Sequence, residues 1–160
     1  MDFPKIELVA GLQRAHELAV LESGLAVVAV HRTDGSTHVS VINAGVLKHP
    51  VTDESIVGFV SRGAVKKLMY LRQQPRATVL FRSGWKWVAV EGDAALAGPD
   101  DPLDGLDTQQ IPRLLREVYA AAAGGQADDW AALDDSIAAE RHTAVFIRPI
   151  RIYPNEEPSS

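Results

Sequence analysis

The 160-residue chain contains no cysteine, which excludes disulfide bonds, thiolate metal sites and cysteine nucleophiles. Aromatic residues make up only 6% of the chain. The longest plain apolar run, Leu25 to Val30, is far shorter than the roughly 20 residues that a membrane helix requires, so we expect no membrane association. The segment from Met1 to Lys5 has no signal-peptide pattern, and we expect a cytoplasmic location.

Familiar catalytic motifs are also missing from the sequence. The P-loop, the G-x-G-x-x-G fingerprint and the G-x-S-x-G elbow do not occur, and the five histidines lack metal-ligand spacing, so we expect no metal. A calcium loop starting at Asp100 is rejected because Pro102 and Ile111 occupy ligand positions. Glu91 and Asp93 are more simply a surface pair than an acid–base dyad.

The size and composition of the chain indicate one globular domain spanning residues 1–160, with residues 154–160 expected to fray. Hydrophobic residues make up 46% and charged residues 23%, as in ordinary globular proteins. The net charge of −5 disfavours a general nucleic-acid binder.

Hydrophobic spacing predicts a mainly β fold with peripheral helices, in the α+β class. Helices are expected at 5–21, 64–72, 108–123 and 128–140, and strands at 25–30, 38–42, 55–61, 77–81, 85–96 and 143–153. Asp34-Gly35 indicates a hairpin turn, Pro149 an edge or a bulge, and Thr108 and Asp128 are candidate N-caps. Six antiparallel strands are most simply closed as a small barrel.

Seven basic residues and no acidic ones lie between Ser61 and Lys86, so this basic segment carries +7 and the rest of the chain −12. Such a segment can be a solvated surface or an anion site. Ser61-Arg62-Gly63 lies where a predicted strand meets a predicted helix, whose first turn contains Lys66 and Lys67. Unpaired N–H groups there, with Gly63 allowing close approach, make a phosphate site plausible.

Two of the three tryptophans lie in Trp85-Lys86-Trp87, next to this basic segment in the sequence. Alternation along a strand would place them on opposite faces, so we expect one to be exposed or at an interface. An exposed tryptophan could stack on a planar ring or pack in a dimer, and the sequence favours neither.

The order of several motifs is more specific than any one of them. In chain order they are Asp34-Gly35, His38-Val39-Ser40, a third strand ending in Ser61, a K-x-x-x-L-x-x-x-P frame (Lys67, Leu71, Pro75), Trp85 and Val90-Glu91-Gly92. From about Leu18 to Tyr153 this pattern resembles the flavin-reductase split β-barrel family related to pyridoxamine 5'-phosphate oxidase. The similarity is greatest to its actinobacterial branch, which uses the deazaflavin coenzyme F420. Thr37 and Val65 depart from the family pattern.

The resemblance implies a homodimeric split β-barrel with two cofactor sites at the subunit interface. The residues expected along the cofactor ring are Ser40, Val41, Ile42 and Asn43. Those expected to hold the phosphate are Ser61, Arg62, Lys66 and Lys67. Trp85 is expected at the pocket, reaching across from the partner chain. No side chain is expected to be catalytic, because the cofactor carries the chemistry.

The first hypothesis is therefore an oxidoreductase that transfers a hydride between F420 and a small organic acceptor. An FMN-dependent oxidase or reductase is the alternative enzyme, because the same phosphate site accepts either cofactor. A non-catalytic cofactor carrier or sensor is a third possibility. Single-stranded nucleic-acid binding is disfavoured by the net charge and by the lack of exposed aromatics in series.

Overall fold

The computed structural model describes residues 7–123 and 130–155. Its helices are α1 (Leu8–Leu21), α2 (Lys66–Gln73), α3 (Ile111–Ala123) and α4 (Trp130–Ala139), with a 3-10 turn at Thr108–Gln110. Its strands are β1 (Leu25–His31), β2 (Thr37–Lys48), β3 (Ser55–Ser61), β4 (Arg76–Ser83), β5 (Lys86–Ala97) and β6 (Thr143–Pro154).

The six strands form a closed antiparallel barrel in the order β1-β2-β3-β6-β5-β4. Alternating apolar residues of β1, such as Val28 and Val30, point inward and are fully buried. At the β1–β2 turn the Asp34 carboxylate accepts hydrogen bonds from the Ser36 N–H at 2.9 Å and from its hydroxyl at 2.6 Å. Gly35 supplies the positive φ of 87° in this turn. The predicted barrel and its first hairpin are confirmed.

The predicted bulge at Pro149 is also present. Glu91 of β5 pairs with Arg151, and Gly92 pairs with Pro149, so Ile150 is an extra residue in β6. The bulge allows the strand to continue past a residue that has no N–H to donate.

Strand β2 is longer than expected, because it runs from Thr37 to Lys48 and not from 38 to 42. The extension contains Gly45, which weakens a strand prediction. In the fold, a Cβ at Gly45 would lie 2.3 Å from the Ala121 carbonyl oxygen. The glycine therefore allows α3 to pack directly against the strand, a tertiary requirement that strand propensity does not reveal.

Two helices contribute to the main core. Helix α1 contacts β2 through β6, and its Leu12 and Leu18 join the core inside the barrel. Helix α2 connects β3 to β4 and buries Leu68 and Leu71 in the same core. It begins at Lys66, two residues later than expected, because Val65 has an extended backbone with φ −76° and ψ 146°.

Helices α3 and α4 cover a different part of the barrel. Leu115 and Val118 of α3 pack with Phe146 and Ile56 in a second core on the outer side of β3 and β6. Asp107, and not Thr108, is the N-cap of the 3-10 turn, because its carboxylate accepts the Gln109 N–H at 3.0 Å. The proposed N-cap Asp128 lies outside the described residues.

Candidate functional site

Strands β2 and β3 separate partway along their length. Their pairing runs from Lys48 and Ser55 to Ala44 and Phe59 and then stops. Beyond this point β2 continues beside β1, whereas β3 continues beside β6. We call the opening beyond the Ala44–Phe59 pair the fork.

The backbone of β2 exposes hydrogen-bonding groups at the fork. The Ala44 N–H donates to the Gly24 carbonyl at 2.8 Å, on the β1 side of the strand. Successive residues of a strand direct their backbone groups to alternate edges, so Val39, Val41 and Asn43 direct theirs away from β1. Within the described chain, no strand pairs with β2 at this edge. This edge of β2 therefore has backbone donors and acceptors that no described strand pairs with.

Helix α2 lies beside the fork. The Lys67 Nζ is 6.0 Å from the centroid of the Phe59 ring, and the Tyr70 ring is 5.7 Å from the His38 ring. Burial lowers the pKa of Lys67, because its half-buried ammonium is partly removed from water. The N-terminus of α2 has no side-chain cap, so its first N–H groups are suited to an anion.

Two buried polar atoms on β2 have no hydrogen-bond partner among the described residues. They are the His38 Nδ1 and the Ser40 Oγ. Buried polar groups in folded proteins are almost always paired, so two such atoms on one strand are suited to a ligand with polar groups of its own.

The segment linking β3 to α2 is fixed by its own contacts. Ser61 is buried, and its hydroxyl donates to the Arg62 carbonyl at 3.4 Å. The Gly63 N–H donates to the Glu140 carbonyl at 3.0 Å, and a Cβ at Gly63 would lie 2.6 Å from the Arg141 carbonyl oxygen. The expectation that Gly63 makes room for a ligand is therefore wrong, because the backbone of Arg141 fills that space.

The basic segment is partly neutralised by acids from elsewhere in the chain. Arg72 pairs with Asp101 at 2.6 Å, and the Arg62 Nε lies 3.6 Å from a carboxylate oxygen of Glu140. By contrast, the two lysines of the first α2 turn, at positions 66 and 67, form no ion pair with any residue that the structure describes. Two of the basic residues of this segment that have no ion pair among the described residues therefore lie next to each other at the start of α2.

A chain of polar contacts extends from Arg62, and no sequence pattern indicates it. Glu140 also accepts a contact from the His142 Nε2 at 3.3 Å, and the His142 Nδ1 is 2.6 Å from the Tyr119 hydroxyl oxygen. Burial, together with the charge of Glu140, raises the pKa of Tyr119 to about 12. Tyr119 is therefore a neutral hydrogen-bonding group. Because Tyr119 and His142 are 23 residues apart in the sequence, no local pattern indicates that they form a pair.

The four β2 residues predicted along the ring differ in what they offer. Ser40 faces inward at the fork, whereas the Ile42 side chain is buried in the main core. The Val41 side chain is 68% exposed on the outer face. The Asn43 side chain donates to the Ser23 carbonyl at 3.0 Å. Only Ser40 of these four offers a buried, unpaired side-chain group, so the others would contribute mainly backbone groups.

Trp85 occupies a turn and not the predicted strand. Ser83 pairs with Lys86, so Gly84 and Trp85 form a two-residue turn between β4 and β5. Gly84 supplies the positive φ of 59° in this turn, and β5 begins at Lys86, one residue later than predicted. The Trp85 side chain is 94% exposed, as expected for one of the two tryptophans, whereas Trp87 packs edge-on against Tyr153.

Solved structures share this architecture. A conserved hypothetical protein of Mycobacterium tuberculosis aligns with a TM-score of 0.64 and 17% identity, over 96% of this chain and 86% of that one. A pyridoxamine 5'-phosphate oxidase-related, FMN-binding protein of Nostoc punctiforme aligns with a TM-score of 0.59 and 14% identity, over 91% and 79%. HutZ, the heme storage protein of Vibrio cholerae, aligns with a TM-score of 0.56 and 10% identity, over 89% and 93%.

These similarities define the fold as the split β-barrel of pyridoxamine 5'-phosphate oxidase-like proteins. Neither a protein-family model nor a curated protein matches the sequence. The structural neighbours include an FMN-binding protein and a heme-binding protein. None of the described helices is long and apolar enough to cross a membrane.

Proposed function

We propose that this chain is a homodimeric oxidoreductase that holds a phosphorylated, flavin-type cofactor in the fork. The observation that carries the proposal is the pair of buried, unpartnered atoms, His38 Nδ1 and Ser40 Oγ, at a strand edge beside the half-buried Lys67. A ligand with a polar ring and a phosphate would satisfy both features at once.

The parts of the fork have distinct roles in this proposal. The backbone groups of Val41 and Asn43 hydrogen-bond the ring along the open edge of β2. Lys67 and Lys66, with the first N–H groups of α2, bind the phosphate, and Arg62 and Ser61 complete its surroundings. The bound ring supplies the hydride chemistry, while the protein orients it and limits its contact with water.

Two cofactors satisfy these requirements. FMN is supported by the structural similarity to an FMN-binding protein from Nostoc punctiforme. F420 is supported by the motif order that resembles the deazaflavin-dependent branch. Both have a phosphate and a ring edge with hydrogen-bonding groups, so the same fork can bind either. The acceptor in both cases is a small organic molecule that stacks on the exposed face of the ring.

The outer face of the barrel supports the homodimer. Val39 and Val41 of β2 are 59% and 68% exposed, and Val41 lies opposite the half-buried Val27 of β1. Leu25 is 51% exposed on the same side. A row of apolar side chains on a sheet face suits burial against a second copy. In that assembly, the exposed Trp85 of one protomer reaches the cofactor of the other.

Ligand titration of the purified protein tests the proposal. We expect FMN or F420 to quench tryptophan fluorescence at micromolar concentrations or below, and reduced cofactor to pass a hydride to a quinone, enone or tetrapyrrole acceptor. Binding without transfer to any acceptor would favour a carrier or sensor. Binding of hemin with neither FMN nor F420 would contradict the proposal.

A further inference from the structure

We infer that His38 and Ser40 act together as the side chains that recognise the hydrogen-bonding edge of the cofactor ring, with Tyr70 holding His38 in position. This inference rests on the proposed cofactor site and assigns two specific contacts within it. His38 was not among the residues that the sequence singled out as cofactor-binding. It is identified by the unpaired ring nitrogen that the fold buries at the fork.

The placement of the two side chains suits one flat ligand. They are two residues apart on β2, so they lie on the same face of the strand, about 7 Å apart along it. The intervening Val39 points outward and is exposed. Both polar atoms lie on the stretch of β2 that has left β3, where the strand edge is open to a ligand.

Tyr70 restrains the imidazole of His38. The centroids of the Tyr70 and His38 rings are 5.7 Å apart, and the ring planes are tilted by 54° to each other. The Arg32 guanidinium carbon lies 5.9 Å from the centroid of the Tyr70 ring. Arg32 is itself anchored by donating to the Thr37 carbonyl at 2.8 Å. The tilted contact with Tyr70, which itself contacts Arg32, restrains the His38 ring and so reduces the freedom that it loses when a ligand binds.

The chemistry of the two groups matches the imide edge of a flavin or deazaflavin, where a ring N–H lies between two carbonyl oxygens. A neutral imidazole nitrogen can accept a hydrogen bond from the ring N–H, and a serine hydroxyl can donate to a neighbouring carbonyl. Both cofactors have this edge, so the inference does not depend on which one binds.

Opposite effects on stability and binding distinguish this role from a structural one. An unpaired buried hydroxyl opposes folding, so Ser40→Ala should raise the Tm of the ligand-free protein, by about 2 °C or more. The same change should weaken FMN or F420 binding by about 5- to 10-fold, the loss of one hydrogen bond. His38→Phe, which keeps a ring beside Tyr70, should weaken binding to a similar extent. A structural side chain would lower Tm and affinity together.

Matched controls are Ser55→Ala, at the start of β3, and His16→Phe, on the exposed face of α1, neither of which should change affinity. The probes are FMN and FMN methylated at the imide nitrogen. Wild-type protein should bind the methylated form about 10-fold more weakly, and His38→Phe should bind the two forms equally. If wild-type protein binds FMN but the His38 and Ser40 variants bind it as tightly, this inference is wrong and the proposed function stands. If wild-type protein binds neither FMN nor F420, both are wrong.

Discussion

In the proposed site, phosphate recognition depends most directly on Lys67. It is half-buried beside Phe59 and forms no ion pair with another described residue. We expect Lys67→Ala to weaken FMN binding by about 1.5–3 kcal/mol, the contribution of a hydrogen bond to a charged group. Isothermal titration calorimetry with FMN and with riboflavin, which lacks the phosphate, separates a loss of phosphate binding from a loss of ring binding. Lys86→Ala, an exposed position on β5, is the control. An equal loss for both ligands would show that Lys67 does not contact the phosphate.

The titration of Lys67 predicts how binding changes with pH. Burial lowers its pKa in the ligand-free fold, so its charged form opposes folding below that pKa, and this cost is lost as the pH rises from the lowered pKa to the ordinary one. A bound phosphate favours the charged form. Cofactor affinity should therefore fall as the pH rises through the lowered pKa, because binding then requires proton uptake. Lys67→Arg should bind with little change over the same alkaline range. A wild-type affinity that does not change there would contradict this placement of the phosphate.

The segment between β3 and α2 contacts the end of α4 through Arg62 and Glu140. A Glu140 carboxylate oxygen lies 3.6 Å from the Arg62 Nε, so in the proposed site it would compete with the phosphate for this guanidinium. An exposed ion pair of this kind contributes up to about 1 kcal/mol, so Glu140→Gln should strengthen FMN binding by as much as about 5-fold. The gain should disappear in the double variant with Arg62→Ala. Glu117→Gln, which alters an exposed pair with Arg113 on α3, should have no effect. If Glu140→Gln bound FMN more weakly than the wild-type protein does, Glu140 would not be competing with the phosphate for Arg62.

Elements that depend on local backbone chemistry were predicted from the sequence, whereas elements that depend on tertiary contacts were not. The hairpin at Asp34-Gly35 and the bulge at Pro149 depend on local backbone chemistry and were predicted from the sequence. The extension of β2 through Gly45 was not, because it depends on the close approach of α3. The fork was not predicted either, since it requires the register of β2 against both β1 and β3.

The same distinction applies to the candidate site. The strand-to-helix junction in the sequence predicted that Lys66 and Lys67 lie in the first turn of a helix, which the structure confirms, whereas their contact with a phosphate stays a prediction. The role inferred for His38 could not be predicted from the sequence, because it rests on the packing of Tyr70, 32 positions later, beside a ring whose Nδ1 stays unpaired among the described residues. The link between Tyr119 and His142 likewise joins α3 to the start of β6, and no local pattern encodes it.

At the scale of the whole molecule, the exposed apolar face of β1 and β2 should mediate assembly. Val41→Asp places a charge in the centre of that face and should convert a dimer into a monomer in analytical ultracentrifugation. Because the cofactor site is proposed to include Trp85 from the partner, the monomer should also bind FMN more weakly. Val9→Asp, an exposed position on α1, should leave both properties unchanged. A Val41→Asp protein that remains dimeric would place the interface elsewhere.

The most direct test of the cofactor site is a crystal structure of the protein with FMN or F420 bound. The fork predicts a ring along the open edge of β2 from Val39 to Asn43, with the phosphate within hydrogen-bond distance of the Lys67 Nζ. It also predicts polar contacts from the ring to the His38 Nδ1 and the Ser40 Oγ. A ring bound in the groove of about 390 Å³ lined by Leu8, Leu12 and Pro149, with the fork empty, would contradict the central claim.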